Sequence, residues 1–229
     1  MRQSVRDSFV AFSTRLEGSV PHLYADIKGL VTIAIGNLVD PVSTALNIPL
    51  RHSDGSLATR EEVIAEWNRV KSDPRCATMG FRYAATLCRL HLDAEGIAQV
   101  VGGRLDLNDA ILVKRFPSFE EWPAEGQLAT MSMAWACGPM FSFPALAASL
   151  ARRDFDAASS SCHIDDSHNA GVTPRNSSNR MLYKNASVVE SQRLDPDVIT
   201  WPMSVTTSRD AGAIVYAFPD PVDPPDDVA

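Results

Sequence analysis

The stretch Leu30 to Gly36, LVTIAIG, alternates in a way that only an extended chain can use. Val31, Ile33 and Ile35 fall on one side of such a strand, and Leu30, Thr32 and Ala34 on the other. The preceding DIKG is turn-like, with Gly29 free to take a positive φ. Tyr24 to Ile35 is therefore expected to form a β-hairpin. Two strands do not make a stable sheet alone, so this one needs a neighbour. Most of the remaining chain carries helical periodicity, and a hairpin set among helices is an α+β arrangement.

Before the hairpin, Val5, Phe9, Phe12 and Leu16 recur at helical spacing. Glu17 falls in the last turn of that helix, and Gly18 is suited to end it. Pro21 then turns the chain into extended structure. Asp40 to Thr59 reads as a long loop with two prolines and a DG turn. Thr59 and Glu62 form a capping-box pair, starting a helix through Trp67 and Val70. Further helices are expected over Tyr83–Leu90, Ala94–Val101, Asn108–Lys114, Ala124–Ala136 and Phe143–Arg152, with a short one over Asp154–Ser161. Gly102–Arg104 (GGR), FPSFEEWP and CGPMFSFP read as the loops between them. The expected layout is a small N-terminal lobe with the hairpin, a larger helical lobe, and a cleft between them, all within residues 1–193. Residues 194–229 read as a Pro- and Asp-rich C-terminal extension whose last ten residues are disordered. Within it, AGAIVYAF is either an edge strand or surface packing.

Of the 229 residues, 45% are hydrophobic and 21% charged, an ordinary globular balance. The net charge of −7 argues against nucleic acid, whose phosphates demand a basic face. No apolar run reaches the roughly 18–20 residues of a membrane span. The N-terminal apolar run is interrupted by charges and lacks a cleavage site, so the protein is expected to be made in the cytoplasm without a signal peptide. Cys76, Cys88, Cys137 and Cys162 form no CxxC pair, which disfavours zinc and suits buried thiols. Disulfides stay open for a protein that works outside the cytoplasm. His163, Asp165, Asp166 and His168 are the densest group of metal-capable side chains, but no second ligand pair accompanies them. No metal and no cofactor are expected.

The chemistry-bearing residues lie around the hairpin. Partial burial of Glu17 at a helix end would raise its pKa, as a general acid at neutral pH requires. Asp26 lies in a polar turn and is expected to stay ionised. Thr32 faces away from Val31 and Ile33, with its hydroxyl open. A protonated acid, an ionised acid and a water-holding hydroxyl suit glycosidic hydrolysis, with inversion if the carboxyls stand ~6.5–9.5 Å apart. Taken alone, such an acid pair reads more simply as solvated surface charge.

The setting narrows that choice. Glu17, eight residues, Asp26, five residues, Thr32, with Glu17-Gly18, Leu23-Tyr24, Gly29 and TIAIGNL around them, resembles the phage T4-type lysozymes, the family of phage endolysins and related muramidases. DGSLATREEVIAEW resembles the family's turn and capped helix after the hairpin. MSMAWACGPMFSFPALAASLARRDFDAA is similar to its central buried helix, its glycine turn and its helix ending in an aromatic-Asp-x-Ala pattern. GVTPRNSSNRMLYKNA is similar to its Asn/Arg-rich segment before the last helix. The likeness covers about residues 5 to 190 and leaves the tail without a counterpart.

That resemblance implies Glu17 as general acid, Asp26 as the carboxylate that positions or activates water, and Thr32 as water holder. It implies peptidoglycan glycan strands as substrate, cut between N-acetylmuramic acid and N-acetylglucosamine. Tyr24, Leu38 and Trp135 would line the saccharide cleft, although Trp135 also reads as plain core. Arg175, Asn176, Asn179 and Arg180 would lie near its back wall, or else serve as helix-capping Asn and solvated Arg. Asn37 departs from the family's histidine after the glycine turn. An acidic enzyme gains no electrostatic steering toward an anionic wall, which fits direct delivery. A secreted antibacterial effector with an immunity or inhibitor partner, and a phage lysin working with secretion or holin machinery, are the settings expected. A lysozyme-fold binding protein without activity and a lytic transglycosylase, which needs only one acid, are the alternatives.

Overall fold

The computed structural model describes residues 1–167, 169–208 and 213–218. The α+β class holds: helices dominate, with one three-stranded and one two-stranded antiparallel sheet. The chain divides into two compact units. One, the hairpin unit, comprises Val10–Leu107. The other, the helical unit, comprises Met1–Phe9 with the described residues from Asn108 onward.

Helix α1 spans Gln3–Glu17, and its Val5, Phe9 and Phe12 are fully buried at the spacing read from the sequence. Gly18 ends it at φ 72°, its N–H donating to the Thr14 carbonyl at 2.9 Å. Strand β1, Val20–Ala25, begins before the expected start of the hairpin and contains Pro21. Proline fits there because β1 is an edge strand, where a missing N–H costs no ladder bond. Strands β2, Val31–Ala34, and β3, Asn37–Leu38, complete the order β1-β2-β3. Leu23 and Ala25 of β1 and Val31 and Ile33 of β2 form the core face of this sheet.

That core closes against helices. The expected Asp40–Thr59 loop carries a short helix α2, Val42–Ala45, and an antiparallel bridge from Arg51 to Leu57. Helix α3, Arg60–Ser72, starts at the capping box: Thr59 Oγ1 accepts from the Glu62 N–H at 3.3 Å, and Glu62 Oε2 accepts from the Thr59 N–H at 2.8 Å. Its Val63, Trp67 and Val70 face the sheet core. Helix α4, Arg75–Leu87, is longer than the Tyr83–Leu90 helix expected, and is broken at Gly80, whose φ is 71°.

Helix α5, Ala94–Arg115, corrects a boundary. Gly102–Arg104 is not a loop but helix interior, joining two helices expected to be separate. Val101, Leu105 and Leu112 are buried at continuous helical spacing across it. Their packing outweighs the cost of about 1 kcal/mol for a helical glycine.

In the helical unit, helix α6, Ala124–Cys137, is buried on every side from Ala124 to Trp135. Helices α7, Pro144–Ala151, and α8, Phe155–Ser161, come next, with Asp154 capping α8. Helix α9, Thr173–Ser191, packs along α6 and α8, and its first half shows no apolar period in the sequence. Trp122 is fully buried among Phe116, Phe119 and Phe155, with ring centroids 5.1–5.5 Å away. The described residues after 193 make contacts with this unit. Strand β4, Ser204–Thr207, packs on α9 and pairs with β5, Ile214–Ala217, the strand within AGAIVYAF. Glu125 Oε1 accepts from the Thr200 and Trp201 N–H groups at 2.8 and 3.0 Å. The expected disorder of the last ten residues concerns positions outside the described ones. All four cysteines are free: Cys76 and Cys162 are buried, Cys88 is half-buried and Cys137 is exposed.

Candidate active site on the three-stranded sheet

Antiparallel pairing sets Tyr24 opposite Thr32, and Thr32 opposite Leu38. Directly paired residues share a face, so these three form one row across the sheet, on the face opposite that of Leu23 and Ile33. Tyr24 is half-buried and Leu38 is 51% exposed. Thr32 is 6% exposed, more enclosed than its alternating position suggests, because all four residues of β2 are buried. Its hydroxyl donates to the Leu30 carbonyl at 3.1 Å, which leaves its oxygen as an acceptor.

Asp26 sits in the β1–β2 connection. Its Oδ1 accepts from the backbone N–H groups of Lys28 at 2.8 Å and Leu30 at 2.9 Å, an Asx-type closure of the turn. Its Oδ2 accepts no hydrogen bond from a described residue and is the oxygen left for a ligand or water. The turn is lashed to α3: Lys71 Nζ donates to the Gly29 carbonyl at 2.8 Å and to Asp40 Oδ2 at 2.6 Å. The same Asp40 oxygen accepts from the Val31 N–H at 3.1 Å. The hydrogen bond from Lys71 is the main reason that the Asp40 carboxyl lies below its ordinary pKa.

Glu17 reaches the sheet from the end of α1. A Cβ built on Gly36 would lie 3.5 Å from Glu17 Oε2, so the carboxylate rests over the β2–β3 turn. Gly36 itself has φ 69°, and Ala34, the last residue of β2, has φ 55°. The left-handed region costs an L-residue about 1–2 kcal/mol, which glycine avoids. Helix α5 holds this turn: Arg104 Nη1 donates to the Gly36 carbonyl at 3.1 Å, and Asn37 Nδ2 donates to the Val100 carbonyl at 3.4 Å. Asn37 is buried, and its Oδ1 accepts no hydrogen bond from a described residue.

Tyr24 joins the two acids. Its phenol is raised above its ordinary pKa, first by burial, then by the negative charge of Glu17, then by that of Asp26. Glu17 is exposed, not desolvated as expected from its helix-end position. Water must be displaced from it by whatever binds.

The remaining expected site residues lie in the helical unit, and most of them are interior. Trp135 is 3% exposed and packs on Phe9, with centroids 4.9 Å apart. Arg175 is 3% exposed, and its Nη1 donates to the Ser132 carbonyl at 3.1 Å and to Ser132 Oγ at 2.6 Å. The Asn176 amide clasps the Ile164 backbone, accepting from its N–H at 2.9 Å and donating to its carbonyl at 2.8 Å. Asn179 is fully buried and donates to Met133 Sδ at 3.2 Å. Arg180 is exposed. Arg175, Asn176 and Asn179 all project from α9.

The residues that sequence reasoning left out are Gly36 and Arg104, which shape the turn under Glu17. The glycine stood in plain view within TIAIGNL, but its partner on α5 lay inside GGR, read as a loop. Among the described residues, no group of three or more His, Cys, Asp or Glu side chains is placed to hold a metal. His163 approaches Asp166 at 3.5 Å, and His168 lies outside the described residues. Among the described residues, no helix is long and apolar enough to cross a membrane. No protein-family model matches the chain, and no curated protein matches it.

Proposed function

We propose that the chain is a muramidase that hydrolyses the N-acetylmuramic acid–N-acetylglucosamine bond of peptidoglycan. The observation that carries this is the placement of Glu17 over the β2–β3 turn and of Asp26 in the β1–β2 connection of the sheet whose facing row is Tyr24, Thr32 and Leu38. Glu17 gives its proton to the bridging oxygen as the bond from the anomeric carbon breaks. Asp26, through its open Oδ2, takes a proton from the water that attacks that carbon, and the Thr32 oxygen accepts a hydrogen bond from the same water. The bound glycan covers the exposed Glu17 and excludes bulk water from it. Tyr24 and Leu38 border the bound sugar on the same face of the sheet. The acidic balance of the chain favours delivery directly to the wall, as a secreted effector opposed by an immunity protein or as a phage lysin.

Two observations favour a second chemistry, that of a lytic transglycosylase. Asp26 Oδ1 is committed to the turn, and the Thr32 proton is committed to Leu30. An enzyme that uses Glu17 alone would tolerate both. Mass spectrometry of muropeptides released from purified sacculi separates the cases. The hydrolase yields reducing ends, and Glu17→Gln and Asp26→Asn each lower the rate by about 10²–10⁴-fold. Anhydro ends with an active Asp26→Asn variant establish the transglycosylase. Intact glycan strands after exposure to the wild-type protein overturn both.

A further inference from the structure

A cavity of about 240 Å³ lies in the hairpin unit, and none of the candidate catalytic residues lines it. One wall is a single face of α3, where Glu62, Ala65, Glu66 and Arg69 recur at helical spacing. His52 from the α2–α3 connection and Arg89 and Leu90 after α4 complete it.

Most of its polar groups are already satisfied. Glu66 is buried, with Oε1 accepting from the Arg89 and Leu90 N–H groups at 2.7 and 2.8 Å and Oε2 paired with Arg69 Nη1 at 2.8 Å. Arg69 Nη1 also donates to the Leu87 carbonyl at 2.9 Å. Glu66 and Arg69 thus form a neutral pair that ties α3 to the end of α4.

Outside the Glu66–Arg69 pair, two side chains present open charged atoms, and they have opposite charge. The Arg89 side chain is exposed and makes no hydrogen bond or ion pair with a described residue. Glu62 is loaded on one oxygen only: Oε2 accepts from the Thr59 N–H at 2.8 Å and Thr59 Oγ1 at 2.9 Å, and lies 3.2 Å from His52 Nε2. Its Oε1 accepts nothing from a described residue. The hydrogen bonds from Thr59 and His52 hold the Glu62 carboxyl below its ordinary pKa, so it is an anion at neutral pH.

We propose that this cavity binds a small zwitterion, an α-amino acid or a dipeptide, with the ligand carboxylate on the Arg89 guanidinium and the ligand ammonium on Glu62 Oε1. Outside the Glu66–Arg69 pair, Arg89 carries the one guanidinium in the lining, and its fork matches a carboxylate. The lining sets two glutamates, Glu62 and Glu66, against two arginines, Arg69 and Arg89. A purely anionic ligand would confront the open Glu62 oxygen, and a purely cationic one the open Arg89; a zwitterion meets both without adding charge. The buried Leu90 and the methyl of Ala65 leave an apolar surface for a small side chain. The volume is below the ~300–1,000 Å³ of drug-sized pockets, which restricts the ligand to a few tens of atoms at most. The site is independent of the reaction proposed above.

The test is a titration of the isotope-labelled full chain with alanyl-alanine, its C-terminal amide and its N-acetyl form, monitored through the backbone amide signals of Ala65, Arg89 and Leu90. The free dipeptide is expected to give saturable shifts at these positions, and each blocked form to bind at least about tenfold more weakly. Arg89→Ala is expected to remove discrimination against the amide. Glu62→Gln, which keeps a residue able to complete the capping box, is expected to remove discrimination against the N-acetyl form. Unchanged signals elsewhere in each variant report an intact fold. The proposal is overturned by the absence of saturable shifts up to about 20 mM dipeptide, where even a millimolar site would fill. Equal binding of all three forms also overturns it, as does inorganic phosphate binding the same residues more tightly than the dipeptide.

Discussion

The two units build their interiors from different materials. The hairpin unit closes around Leu23, Val31, Ile33, Val63, Trp67 and Val70, an apolar cluster in which the buried Glu66 is satisfied at the margin. The helical unit has an apolar cluster at Trp122, but along α6 and α9 it buries Glu125, Gln127, Thr130, Ser132, Arg175, Asn176, Asn179 and Asn185. These polar groups are knitted together: Thr130 Oγ1 lies 2.9 Å from the Tyr183 hydroxyl, and Gln127 Nε2 donates to the Phe119 carbonyl at 2.8 Å. Asn185 donates to Glu125 Oε1 at 3.0 Å and to the Met203 carbonyl at 2.8 Å, while accepting from the Val205 N–H at 2.8 Å. Burial of apolar area is non-directional and tolerates small shifts. A buried hydrogen-bond network is directional, and each member removed strands its partners. The helical unit therefore gains a specific register for its C-terminal segment, at the risk of larger losses from small polar changes.

The largest test of this contrast is Ile33→Ala. It should destabilise the hairpin unit by about 2–5 kcal/mol, the range for deleting a buried branched side chain. Trp67 is the one tryptophan within residues 10–107, so in a variant lacking the other three its fluorescence during urea unfolding reports on this unit. Asn185→Ala comes next, costing about 1–3 kcal/mol through stranded partners rather than lost area. Hydrogen exchange should show lost protection at Thr200, Trp201 and Val205, with the hairpin unchanged; uniform loss would break the comparison. Thr59→Ala should cost about 1 kcal/mol, the ordinary value of an N-cap, and should fray α3 only at its start.

The pH response should divide the units by sign. Burial raises the Glu125 carboxyl above its ordinary pKa despite its hydrogen bonds. Between the unfolded and folded values the folded state binds more protons, so the helical unit loses stability as pH rises through that window. Glu125→Gln should flatten the dependence. Asp40 is held below its ordinary pKa, so its contribution is full above the unfolded value and is lost as pH falls through the folded one. Urea midpoints measured separately for each unit across the acid range should therefore move in opposite directions, and Asp40→Asn should remove the acid loss in the hairpin unit. Parallel movement would show that other groups dominate.

The sequence displayed much of the chain up to the end of α3. The buried stripe of α1, the stop at Gly18, the capping box of α3 and the alternation of β2 are each encoded within a few residues, and each stands where its local signal places it. The strand partners needed one step more: β3 is two residues long, too short to announce itself, and it decides that Leu38 shares a row with Thr32. Of the candidate site, the residue types and spacing of Glu17, Asp26 and Thr32 were visible. The exposure of Glu17 and the enclosure of Thr32 were not, because they depend on neighbours supplied by distant elements.

Helix α9 marks the limit. Its buried face opens with Arg175, Asn176, Ser178 and Asn179 and turns apolar only from Leu182 onward, so its first half shows no hydrophobic period to read. Gly102–Arg104 failed in the opposite way, as two glycines held helical by buried residues on either side. By itself the sequence determined the elements whose cause is local: a cap, a turn, or a stripe of apolar side chains on one face. Only the tertiary structure decided which polar side chains would be interior, where the GGR segment would continue a helix, and that Glu17 would rest over Gly36. Each of these depends on a partner far along the chain, and local periodicity carries no information about that partner.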